Sequence, residues 1–171
     1  MGSIRPSIVA VLFALGAPLM WPMGCEAAPG HPTIAEVRGD LASMGPTRTV
    51  QALWSDKRWD WIEDRVAAGD TGWIALAPRL APGTDAGTSE GLSISLAEGL
   101  TRNPRAVLAV LTLGDDSVLG VQQVCEAPFI EETPQHHATY MRATFRALAG
   151  VRAPDLHRVK QACLQRLSQA R

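Results

Sequence analysis

Apolar side chains recur along this chain at three- and four-residue steps, a period that predicts helices through most of its length. Ile34, Val37, Leu41 and Met44 mark a first helix, opened by Thr33 with Glu36 three residues on as a reciprocal cap and stopped at Gly45. Pro46 suits the first turn of a short helix carrying Val50, Leu53 and Trp54. Ser55 reads as the cap of the next, running to Ala68, with Trp59 or Ile62, Trp61 and Val66 inward and Gly69 as a left-handed stop. Trp59 and Trp61 are two apart and cannot both face inward on one helix, so one of them is expected to be partly exposed.

Asp70 caps a further helix burying Trp73, Ile74, Ala77 and Leu80, with Pro78 removing a backbone donor and kinking or ending it. After a loop over 81–87, Leu92, Leu96 and Leu100 recur every four residues as far as Arg102. Asn103-Pro104 then opens a helix with Val107, Leu108 and Leu111. Two amphipathic helices close the chain, 135–148 with Tyr140, Met141, Phe145 and Leu148, and 154–170 with Leu156, Val159, Cys163, Leu164 and Leu167.

The fold class these patterns predict is all-α, with helices in antiparallel pairs. Caps recur at Asp70, Asn103 and Thr133, spacings of 33 and 30 that resemble a short solenoid-like stack. An α+β alternative competes, because Leu92 to Leu96 alternates strictly and the two apolar runs near 106–124 flank Gly114-Asp115-Asp116-Ser117 as a hairpin would. The specific caps and the flanking Ala, Glu and Leu favour helix.

The N-terminus changes the picture of compartment. A basic start, the apolar run Ile8 to Trp21 broken by Pro18, and small residues near Ala27 and Ala28 read as a signal peptide over 1–27, followed by a flexible tail over 28–32 and one helical domain over 33–171. The run is short for a membrane span of about twenty residues. Removing the leader takes Cys25 with it and leaves Cys125 and Cys163 as a pair, expected to form a disulfide in an oxidising compartment. A lipid anchor at Cys25, in Pro22-Met23-Gly24-Cys25, is the lesser reading, since the usual leucine is missing. The expected location is therefore periplasmic or secreted. A net charge of −1 gives no basic footprint for nucleic acid.

Candidate chemistry is thin. The loop through Thr84, Asp85, Thr88, Ser89 and Glu90 is the most polar part of the central stretch, but side-chain capping of the following helix explains it more simply than an anion site, a cation site or an acid–base pair. It lacks the lysine of a phosphate-cradling loop. His136 and His137 are adjacent, pointing about 100° apart on a helix, and miss the i, i+4 spacing of a zinc helix. Ser93 and Ser95 do not sit in a nucleophile elbow. Arg38-Gly39-Asp40 falls within a helical frame and reads as chance. No metal or cofactor is implied. Trp59 and Trp61, with their neighbours Trp54 and Trp73, are the candidates for an exposed aromatic contact.

The residues Ala52-Leu53-Trp54, Arg58-Trp59, Ile62, Gly69-Asp70, Trp73 to Ala77, Leu80 to Gly87, Glu90 to Leu92 and Asn103 to Leu111, with a later cysteine, form a pattern that resembles small exported proteobacterial proteins of unassigned function, over about 46–130. The resemblance implies export and a shared fold and carries over no catalytic role. The function expected is a non-catalytic binding domain with a protein partner in the cell envelope. The alternative is an envelope hydrolase using Asp85 and Glu90.

Overall fold

The computed structural model describes residues 30–114, 118–127, 129 and 133–170. The leader, Cys25 and the residues Asp115 to Ser117 of the anticipated hairpin turn lie outside them. The described chain is all-α: α1 (Ile34–Ser43), α2 (Gly45–Ser55), α3 (Trp59–Ala67), α4 (Thr71–Ile74), α5 (Ala77–Leu80), α6 (Ala86–Arg102), α7 (Pro104–Val110), α8 (Val121–Cys125), α9 (Pro134–Gly150) and α10 (His157–Gln169), with 3₁₀ turns at Ala81–Gly83 and Pro154–Leu156.

Side-chain caps open α1, α4, α6, α7 and α9. Thr33 and Glu36 form the reciprocal box of α1, Asp70 accepts from Gly72 and Trp73, Asn103 from Ala106 and Thr133 from His136. Pro78 stands in the first turn of α5, and the helix begun at Thr71 stops before it at Ile74. One boundary differs from expectation. Ser55 ends α2 instead of opening α3, because Lys57 turns left-handed at φ 56° while Lys57 N–H donates to Trp54 O and Arg58 N–H to Leu53 O. This is the termination that Gly69 makes after α3 at φ 82°, with Gly69 N–H on Val66 O and Asp70 N–H on Arg65 O.

The hairpin alternative is not what forms. Leu92 to Leu96 lies within α6, Ala106 to Val110 within α7, and between α7 and α8 the only pairing among the described residues is one parallel bridge, Thr112 to Gly120. Runs rich in alanine and leucine, each opened by a cap or a turn, satisfy their backbone groups internally.

α6 is the centre, packing against α3, α7, α8 and α9, with Leu92, Leu96, Ala97 and Leu100 fully buried. It meets α3 closely through Gly99, where a Cβ would stand 2.9 Å from the Val66 carbonyl oxygen and 3.2 Å from Val107 Cγ2. The two corners 33 residues apart dock on each other. Asn103 Nδ2 donates to the Gly69 carbonyl at 2.9 Å and the Thr71 hydroxyl at 3.0 Å, and an Arg102 guanidinium N–H donates to the Ala67 carbonyl at 2.6 Å. Between the Asn103 and Thr133 corners, 30 residues apart, stands the additional short helix α8, so among the described residues the second spacing does not repeat the first arrangement.

The C-terminal helices are tied on separately. Tyr140 Oη donates to the Ala97 carbonyl at 3.1 Å, joining α9 to α6. Cys125 and Cys163 form a disulfide between α8 and α10, with Cα atoms 5.3 Å apart. Arg166 reinforces the same contact through Glu126 and Gln122. Among the described residues no helix is long and apolar enough to cross a membrane.

Candidate functional site

A groove of about 220 Å³ separates α2 from the turn leading into α6. One wall is α2, whose inward stripe is Thr49, Val50 and Leu53. Trp54 follows Leu53 by about 100° on the side away from Thr49, and so it stands 58% exposed at the groove edge. Of the four neighbouring tryptophans considered for an exposed contact, Trp54 is the most exposed. Thr47, Gln51 and Ser55 recur every four residues beside it, a row of neutral hydrogen-bonding groups along the rim. The other wall is Pro82, Gly83, Thr84, Asp85 and Thr88. Gly83 lies so close to the backbone of Pro46 and Thr47 that a Cβ there would overlap it. The absence of that side chain lets the turn seat on α2.

The polar loop is brought to this groove, but most of its groups are used internally. Asp85 accepts from Thr88 N–H at 3.1 Å and from Thr88 Oγ1–H at 2.7 Å, while Thr88 Oγ1 accepts from the Asp85 N–H at 2.9 Å. These bonds, the Thr88 hydroxyl first, hold the Asp85 carboxyl below its ordinary value. A carboxylate kept ionised and engaged in a cap is a poor proton donor. Thr84 Oγ1 donates to Ala81 O and Ser89 Oγ to Ala86 O. Glu90 is exposed and does not line the groove.

The two tryptophans singled out by their spacing lie elsewhere. Trp59 is 0% exposed, so its indole offers no face to a ligand. Trp61 is half-buried in an aromatic cluster. The His31 ring stacks on it at 5.1 Å, Trp73 meets it edge-on at 5.1 Å and the Arg65 guanidinium lies 5.8 Å from its centroid. Residues 30–32 are irregular; Pro32 is buried, and the exposed His31 lies with its ring against the Trp61 indole. His31 thus has a partner that no local pattern reveals.

One group escaped the sequence reading altogether. Trp59 Nε1–H donates to Glu63 Oε1 at 2.6 Å, and the carboxyl sits against Gly91 of α6, where a Cβ would overlap it. Burial raises the Glu63 pKa to about 7, opposed by the indole bond and assisted by Asp60 and Asp64. The i, i+4 spacing of Trp59 and Glu63 was the available signal, but on an acidic helix face it reads as surface. His136 and His137 stand in the first turn of α9, with His136 6.2 Å from Phe129.

In comparisons with known proteins, no family model, curated protein or solved structure matched the chain.

Proposed function

We propose that this is an exported, non-catalytic binding domain whose α2 groove receives an extended, uncharged polar segment of a protein partner in the cell envelope. The observation that carries the reading is Trp54, a large indole left 58% exposed beside the row Thr47, Gln51 and Ser55. Large rigid aromatics are the usual anchors of protein interfaces, and the neutral groups beside Trp54 offer hydrogen bonds without charge. The internal use of Asp85 in its cap supports binding over acid–base chemistry at the same place. The disulfide and the resemblance to exported proteins support the envelope as the setting.

A photo-crosslinking residue at Gln51, introduced into the protein in its native host, tests the proposal. A discrete adduct is expected, reduced about tenfold by Trp54→Ala, the effect of removing an aromatic anchor. Recovery of bare monomer alone, or an adduct indifferent to Trp54, would overturn it.

A further inference from the structure

Positive charge gathers at one place on a chain whose net charge is −1. Where the end of α6, the start of α7 and the chain leaving α9 meet, they enclose an open depression of about 730 Å³, lined by Arg102, Arg105 and Arg152 with Asp155 as its one acid. Arg102 is fixed in place: besides its bond to Ala67 O it lies 3.9 Å from Glu98 on the preceding turn. Arg105 and Arg152 are exposed, and neither makes a hydrogen bond or ion pair among the described residues.

Two details make this more than a scatter of surface cations. Arg105 stands in the first turn of α7, where the backbone amides are electropositive and a cation is locally disfavoured. A departure from local electrostatics without a compensating carboxylate marks a place kept for something else. Small residues, Ala147, Gly150 and Ala153, line the same depression and leave the guanidiniums room to converge.

The chemistry selects the ligand. Asp155 in the depression and Glu98 beside Arg102 offset part of the charge of the three guanidiniums, which leaves the site net positive, and each fork presents paired N–H donors suited to oxyanions. A carboxylate brings one charge and two oxygens. A phosphate monoester brings nearly two charges and three terminal oxygens, one for each of the three guanidiniums. The depression is larger than the phosphate group alone, so it also accommodates part of the organic body that carries it.

We propose that this depression is a binding site for a phosphate monoester, gripped by Arg105 and Arg152 with Arg102 as the fixed third donor. It shares no residue with the α2 groove and does not depend on the function proposed for that groove. The phosphate could be carried by a soluble molecule or by a lipid headgroup.

Calorimetric titration of the purified protein with phenyl phosphate, alongside sedimentation with phosphatidylcholine vesicles with and without phosphatidic acid, tests the site. Saturable binding to phenyl phosphate assigns a soluble source; binding seen only with phosphatidic acid vesicles assigns a lipid one. In either case Arg105→Gln with Arg152→Gln is expected to weaken it about tenfold or more. Arg142→Gln with Arg146→Gln, which lie outside the depression, is expected to leave it unchanged. Both double variants alter exposed side chains and should melt with the parent. No saturable binding to either probe would overturn the proposal, as would binding that survives the Arg105 and Arg152 substitutions. Equal affinity for benzoate would overturn the phosphate assignment.

Discussion

Glu63 shows how one buried carboxyl couples this fold to pH. Its folded value of about 7 lies above the ordinary 4.5, so the folded state holds the proton more tightly than the unfolded chain does. The stability that Glu63 contributes is therefore fully present below about 4.5, declines as pH rises, and is lost above about 7. Allowing for partial solvent screening, the increment is about 1–2 kcal/mol. Glu63→Gln keeps an acceptor for the Trp59 indole while removing the charge. Urea unfolding is expected to show the variant more stable than the parent near pH 8 and nearly equal to it near pH 5; an unaltered pH slope would contradict the assignment. Lys57 offers a second check at this scale. It occupies a left-handed position that glycine adopts without strain. Lys57→Gly should raise stability by about 0.5–1 kcal/mol, read as a higher melting temperature.

Between elements, the contact of α3 with α6 depends on missing side chains. Gly99→Ala would press a methyl against the Val66 carbonyl and is expected to destabilise by about 1–3 kcal/mol. Gly39→Ala, in α1 with open space around it, should instead stabilise by about 0.5–1 kcal/mol. Denaturant midpoints of the two variants should therefore move in opposite directions. This scale also separates what the chain announces from what it hides. Capping is written in local chemistry, so Thr33, Asp70, Asn103, Thr133 and the stop at Gly69 could be read directly. The break at Lys57 could not, because its bonds form without a glycine or asparagine to signal them. The polar loop was rightly placed at a helix start, yet the groove beside it depends on where α2 crosses the turn Ala81–Gly83. Trp54 followed the helical period but lay at the edge of the buried stripe. Glu63 was hidden for the same reason: its burial is created by α6, nearly thirty residues away.

At the scale of the whole molecule, the disulfide holds α10 on α8 at the far end of a chain whose other contacts centre on α6. Closing a loop of 38 residues stabilises by about 4 kcal/mol in the chain-entropy model. Replacing both cysteines by serine should lower stability by a comparable amount in equilibrium unfolding, and reducing the parent with dithiothreitol should reproduce that loss. A change under about 1 kcal/mol would mean that the native contacts alone fix the last helix. The bridge also sets how far the molecule can be drawn out. Pulled by its ends between optical traps, the oxidised protein should lengthen by about 130 Å less than the reduced one, the span of the 38 residues that the Cys125–Cys163 link takes out of the load path.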